Sequence, residues 1–535
     1  MSSPDAPTPR ATVLEDFVVA TSDRRRELRG ERWEGLRQGL GPQRPSAAAG
    51  DRSRPAPRFE KGLQYDAVEA RAHVLPEPPH VDTGDADGCT AGRCTPAEKL
   101  ALLMRHALWP LRWEPLNGLG QHRAVGTPGA LFPVDTYLLA PTSAGPRALY
   151  CSPRDLCLLE VGPPAPDDAL QADAAPTLVV VANLGRCVGV YGDLALSLTA
   201  LEAGMLQAQL AWVTDALGWR LESEAILDPA PWRTRLGIAH WSELPLLRCR
   251  LHGGEPAQAT AALPARRLRT LQPRPHHAAA DTHPLLRDIV QRAAMPDVAP
   301  GTGPSAPAHT STGTQPGRAA SPAAGPARAS AERPALHVLR LSERRSSGAQ
   351  NGVVRWTGDL TADALEDWLA DARHLLHRPV ALPRPADPAH HPLQATLVWR
   401  PTRDGPPMLL RLDRLLDAER EPAQLQRERI DADPALLALA RSLCQDGTVA
   451  VATIGIDAAA LRSDAGLPSY LAAHRAAGGW AQALSLAAAH HGLTARLFQA
   501  YPDEMKNRLL PLRARTLVQI LIGRDPRPNP AYRLF

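Results

Sequence analysis

Apolar positions are densest along residues 198–217. There Leu206, Leu210, Val213 and Leu217 form one stripe at helical spacing, and Leu198, Leu201, Met205 and Trp212 form a second. A helix that is apolar on nearly every side is buried on both, as is the central helix of a domain that also lines an interface. The pattern recurs. Glu202–Trp219 (EAGMLQAQLAWVTDALGW) aligns without gaps on Ala476–Leu493 (AAGGWAQALSLAAAHHGL), at an offset of 478 − 204 = 274 residues. Identities fall at Ala203/Ala477, Gly204/Gly478, Leu210/Leu484 and Gly218/Gly492. Both copies read as helices ending near a glycine. GDLTADALEDWLADARHLL, residues 358–376, has the periodicity of a third helix.

Between these segments lie stretches that cannot pack. Residues 295–335, including PDVAPGTGPSAPAHTSTGTQPGRAASPAAGPARAS, hold almost nothing a core could use and read as a disordered linker. Residues 1–60, with a charged run from Asp23 to Arg29 and the proline-rich GPQRPSAAAGDRSRPAPR, read as a partly disordered arm. Two bodies remain, 61–294 and 336–535, each long enough for a core of its own.

Composition narrows the chemistry. The 60 basic and 56 acidic side chains nearly cancel, which argues against a nucleic-acid stripe. No signal-like N-terminus and no bilayer-spanning run occur, so a soluble cytoplasmic protein is expected, with no membrane partner. The seven cysteines are odd in number and scattered; Cys89 and Cys94 are a tempting pair but have no two further ligands nearby. The histidine pairs 276–277, 390–391 and 490–491 read as surface or cap residues, because adjacent side chains point apart. No metal site follows. P-loop, GxGxxG and GxSxG patterns are missing, which leaves triphosphatase, Rossmann and hydrolase readings without a motif.

The most specific stretch is Arg123–Tyr137, RAVGTPGALFPVDTY. It resembles the R-x-x-P-S-x-G-A-L-Y-P-x-E-x-Y segment of the azoline-dehydrogenase branch of the nitroreductases, and ALYCSPRDLCLLEVG, residues 148–162, resembles that family's next hairpin, in which a tyrosine-containing strand turns through proline and returns as an apolar strand. The two central helices resemble that branch's E-A-G-H-x-x-Q-N helix, the first keeping Glu202, Ala203 and Gly204, the second Gln482, Gly492 and Leu493. Arg344-Arg345-Ser346-Ser347 is similar to the family's R-x-S phosphate motif, and Leu521-Ile522-Gly523-Arg524 to its terminal strand. In the first body the comparable strand ends Leu251-His252-Gly253-Gly254, with glycine where Arg524 stands.

The resemblance implies an α+β fold of two nitroreductase-like domains in tandem, packed as an intramolecular pseudo-dimer around flavin mononucleotide (FMN). It also implies one composite site. Arg344, Arg345, Ser346, Gly523 and Arg524 would hold the phosphate, Thr127, Gly129 and Ala130 would form the loop beside the ring, and Gln482 would contribute from the second central helix. A phosphate dianion favours guanidinium and hydroxyl donors because charge-assisted bonds are strong. The family's catalytic lysine–tyrosine pair is matched at Gly189-Val190-Tyr191-Gly192 by the tyrosine alone. Tyr191 is therefore either the catalytic base or a tyrosine packed at a strand end. The expected activity is FMN-dependent oxidation of thiazoline or oxazoline rings in a modified peptide. A second reading is an inactive partner that binds the peptide, or a cyclodehydratase or other peptide-modifying enzyme; a third is a generic flavin reductase.

Overall fold

The computed structural model describes residues 65–77, 94–113, 121–142, 145–161, 175–273, 277–293, 338–346, 359–377, 393–402, 405–412, 427–429, 434, 437, 448–457, 466–498, 509–510, 514–524 and 532–533. The arm at 1–60 and the linker at 295–335 lie outside the described residues. So do His276, His390 and His391.

Among the described residues, ten strands lie in the first half: β1 (Tyr65–Val74), β2 (Arg112–Trp113), β3 (Gln121–His122), β4 (Val134–Thr142), β5 (Gly145–Ser152), β6 (Cys157–Glu160), β7 (Thr177–Asn183), β8 (Arg220–Ala225), β9 (Glu243–His252) and β10 (Ala265–Pro273). The second half adds β11 (Leu393–Trp399), β12 (Met408–Arg411), β13 (Arg427–Arg429), β14 (Thr448–Asp457), β15 (Thr494–Phe498), β16 (Ala514–Gly523) and β17 (Tyr532–Arg533). Six helices organise the site: α1 (Pro96–Ala107), α2 (Gly185–Tyr191), α3 (Ala195–Ala216), α4 (Val338–Arg344), α5 (Ala362–His377) and α6 (Gly466–His490).

The two sheets share one wiring diagram. In the first the order β6-β5-β4-β7-β9-β8 is extended at the β6 edge by β1 and β10; in the second it is β13-β12-β11-β14-β16-β15. Within the six strands common to both, the fourth in chain order (β7, β14) leads to the long helix (α3, α6), which is followed by an edge strand (β8, β15). The central strands TLVVVAN and TVAVATIGID are buried almost throughout, as strands covered on both faces must be. The hairpin expected over 148–162 is the β5–β6 pair, Ser152 opposite Cys157.

Helix α1 shows how local sequence sets a boundary. Thr95 accepts a bond from the Glu98 N–H while Glu98 reaches back to the Thr95 N–H at 2.7 Å, with Pro96 at the first turn. Helices α3 and α6 need no amphipathic face, because both are buried along nearly their whole length. They pack on each other at the two glycines that the repeat aligned. A methyl group built on Gly204 would land on the Arg475 carbonyl, and one on Gly478 would land on the Leu201 carbonyl. The two backbones are therefore in contact, a separation that only glycine permits.

One continuous core results, running from Leu138 and Val180 through Leu210 and Leu484 to Ile454 and Ile520. Two tryptophans pin it: Trp212 Nε1 donates to the Leu375 carbonyl and Trp368 Nε1 to the Leu484 carbonyl, both at 3.1 Å. The end of the chain returns to the first half, where β17 pairs with β2, Tyr532 opposite Trp113. Among the described residues no helix is long and apolar enough to cross a membrane.

The crossing yields a direct test. Gly204→Ala and Gly478→Ala should each destabilise the protein by about 1–3 kcal/mol or more, since backbone must move to admit the methyl. Gly189→Ala, where nothing lies within 4 Å of the new atom, should leave the melting temperature nearly unchanged. Thermal unfolding of the three variants measures it; equal effects at all three positions would remove the crossing as a special constraint.

Candidate functional site

The Arg123–Tyr137 segment forms a loop that enters β4 after a 3-10 turn over Pro128–Ala130. Gly129 lies in the left-handed region at φ 55° and is exposed; the side chain of Ala130 is outside the described residues. The loop is tied at three points. Thr127 Oγ1 accepts from the Phe132 N–H at 3.0 Å and donates to Glu202 Oε2 on α3 at 2.7 Å. Arg186 on α2 donates to the Phe132 carbonyl at 2.8 Å. Gln482, fully buried on α6, donates to the Ala124 carbonyl at 3.0 Å and to Gln209 on α3 at 2.8 Å. Gln209 in turn donates to Ser342 Oγ on α4 at 2.6 Å and to the His106 carbonyl at 2.8 Å.

Beneath the loop lies a cluster of buried charges. Arg186 pairs with Asp135 at 2.8 Å, and Asp135 also accepts from Tyr150 at 3.1 Å and Asn183 at 3.3 Å. Arg123 stacks on the Phe132 ring, 3.7 Å from its centre. Arg123, Asp135, Arg186 and Glu202 line a cavity of about 30 Å³, room for one or two waters. Burial pushes the Glu202 carboxyl up to about 8, against the pull of the Thr127 hydroxyl, Arg123 and Arg186.

Tyr191 ends α2, so it stands at a helix terminus and not at the strand end that was the alternative expectation. A methyl group on Gly129 would come within 2.8 Å of the Tyr191 hydroxyl, which places the phenol over the turn. Gly189 and Val190 beside it are exposed, and no lysine accompanies them.

Of the residues expected to hold a phosphate, Arg345 is buried after α4, and a methyl group on Gly126 would lie 3.7 Å from its Nη1. Its carbonyl accepts from Arg112 at 2.9 Å, and Arg112 also donates to the Glu343 carbonyl. The Ser346 carbonyl accepts from the Ala495 N–H at 2.9 Å, which attaches this segment to β15. Gly523 is the β16 partner of Thr494 on the same strand, and Thr494 Oγ1 donates to its carbonyl at 3.0 Å. Arg345, Ser346, Gly523 and the following Arg524 thus flank one end of β15, and Arg345 abuts the first-half loop. Arg344 is exposed.

The first half is built differently at the matching place. After β9 the chain turns at Gly253 into a helix over Gly254–Ala261. Glu255 there accepts from Lys99 at 2.7 Å and from Trp219 at 2.9 Å, and those two bonds hold its carboxyl below the usual range. Arg248 and Arg250 on β9 are salt-bridged to Glu224 and Glu222 on β8. His277 Nε2 lies 3.0 Å from a Glu243 carboxylate oxygen and His491 Nε2 2.9 Å from one of Asp371, both within hydrogen-bond distance, and His490 is exposed.

Sequence reasoning missed the charged floor of the loop. Asp135 occupies the acidic position of the PVDTY stretch, so a signal for it existed; Arg186, Tyr150 and Asn183 stand in apolar runs whose pairing only the fold reveals.

No protein-family model and no curated protein sequence matches the chain. Solved structures do. A candidate nitroreductase from Anabaena variabilis is similar at a TM-score of 0.58 and 16% identity, over 90% of this chain and 97% of that one. A second, from Ralstonia eutropha, is 20% identical over 35% of this chain and 97% of its own, at a TM-score of 0.27 too low to bear on the fold. The fold of this chain is nitroreductase-like.

Glu202 makes a prediction about pH. Its carboxyl is raised from 4.5 to about 8, so between those values the folded chain keeps a proton that the unfolded chain has lost. Stability from this group is full below about pH 4.5 and is lost as pH rises toward 8. Glu202→Gln removes that dependence, so the unfolding free energy of wild type minus variant should fall from pH 5 to 8 and level off above. Parallel denaturation profiles would contradict the burial argument.

Proposed function

We propose that the chain is an FMN-dependent oxidoreductase whose two halves form an internal pseudo-dimer with one composite flavin site, and that it oxidises thiazoline or oxazoline rings of a modified peptide. The observation that carries the reading is Arg345, a buried cation of the second half set against Gly126 in the loop of the first.

The residues present fit the cofactor at two places. At the phosphate end, Arg345 and Arg524 would supply guanidinium donors beside Ser346 and the Gly523 backbone. At the turn, exposed Gly129 and half-buried Thr127 would let backbone approach a flat ring. The inner cavity of about 30 Å³ is too small for a ring system, so the ring would lie on the outer side of the turn. The first half does not repeat this: Gly254 stands where Arg524 stands in the second, the next residue is the carboxylate Glu255, and Arg248 and Arg250 are already engaged.

When bound, the flavin supplies a hydride acceptor. The chain's own contribution is to position the peptide ring and to hold a proton at the Tyr191 hydroxyl, which stands over the turn. A phenol ordinarily ionises near 10, so this role needs cationic help. The nearest guanidinium on α2, Arg186, is spent on Asp135 and the Phe132 carbonyl. The missing lysine favours the second reading, a flavin-holding partner that presents peptide to a cyclodehydratase or another modifying enzyme. Retained flavin with no turnover of an azoline peptide selects that reading; turnover abolished by Tyr191→Phe selects the first.

Arg345→Ala and Arg524→Ala should each weaken FMN binding by roughly tenfold to more than a hundredfold, about 1.5–3 kcal/mol for a lost charged hydrogen bond. Arg248→Ala and Arg250→Ala should not. Fluorescence titration of FMN into the apo-variants reads this; equal losses on both strands would overturn the single composite site.

A further inference from the structure

We propose that Glu202 is the positioning residue of the ring-side loop: through the Thr127 hydroxyl it holds the Pro128–Ala130 turn in the shape that presents Gly129. The inference rests on the composite flavin site proposed above for its ligand, but not for its geometry.

The hydrogen-bond directions leave little freedom. Thr127 has one hydroxyl proton. Its oxygen accepts the Phe132 N–H at 3.0 Å, and its proton is donated to Glu202 Oε2 at 2.7 Å. The hydroxyl therefore closes the turn from within while fastening it to the central helix. The turn needs such a fastening, because Gly129 and the non-glycine Phe132 both adopt left-handed backbone, at φ 55° and 46°. For Phe132 that conformation costs on the order of 1 kcal/mol or more and persists only where its surroundings hold it. Those surroundings are Arg186 on the Phe132 carbonyl, Arg123 over its ring, and Thr127 on its N–H.

Glu202 is the member of this group placed at the crossing of the halves, two residues before Gly204. It ties the turn to the helix that fixes the distance to Arg345. Burial favours the neutral acid there, and either protonation state retains an oxygen that can accept from Thr127. Glutamine offers such an oxygen and alanine does not. That difference separates positioning from mere filling of space.

Hydrogen exchange of the loop amides in the full chain, stripped of flavin, tests the clamp, with FMN titration as the second readout. Glu202→Ala and Thr127→Val should speed exchange at Phe132 and its neighbours and weaken FMN binding roughly tenfold. Glu202→Gln and Thr127→Ser should stay near wild type at pH 7. Unchanged exchange in both Glu202→Ala and Thr127→Val would overturn the proposal, as would Glu202→Gln behaving like Glu202→Ala. Should Glu202→Ala fail to fold, Thr127→Val against Thr127→Ser decides. If wild type binds no FMN, the flavin reading falls while exchange still decides the clamp.

Discussion

Backbone contact between α3 and α6 at Gly204 and Gly478 is the constraint on which the rest of the molecule depends. Helices with ordinary side chains at the contact pack 8–10 Å apart. Here the carbonyls of Arg475 and Leu201 occupy the space where side chains would begin. That approach merges two sheets of like strand order into one core and lets side chains of one half reach the backbone of the other. Gln482 spans it to hold the Ala124 carbonyl, and Gln209 spans it to reach Ser342. Because these amides are buried, each bond lost would leave a polar group without solvent, so the network enforces one register between the halves.

On that shared strand order the two halves differ at their edges. The end of β15 gathers Arg345, Ser346 and the Gly523-Arg524 end of β16, while the corresponding end of β9 runs into a helix whose Glu255 is tied to Lys99 and Trp219. One edge gathers guanidinium side chains and the other a carboxylate. The first half has instead kept the loop over a floor of paired charges, Asp135 with Arg186. Removing one partner of such a pair leaves a buried charge uncompensated, which is costlier than the pair is stabilising.

Much of this was legible in the chain. The two all-round apolar stretches gave both central helices, and the aligned Gly204 and Gly478 are the crossing itself. Helix α5 followed from its helical pattern, and the β5–β6 hairpin from the family resemblance. What was not legible involves partners far apart in sequence: Gln482 bonds a carbonyl 358 residues away, and the last strand pairs with β2. Such contacts leave no local pattern. Tyr191 at a helix end was equally hidden, because GRCVGVY has neither a capping signal nor a clear period. Arg345 and Arg344 were indistinguishable by motif; burial separates them, one inside beside Gly126 and the other exposed.

The central claim is that two unequal halves make a single flavin site. Purified full-length chain, saturated with FMN, freed of excess and then denatured, releases the cofactor for quantification by absorbance against protein concentration. The account predicts one equivalent per chain. Two equivalents would mean that the edge at Glu255 also accepts a phosphate, and none would mean that the nitroreductase-like fold serves here without flavin; either result would contradict it.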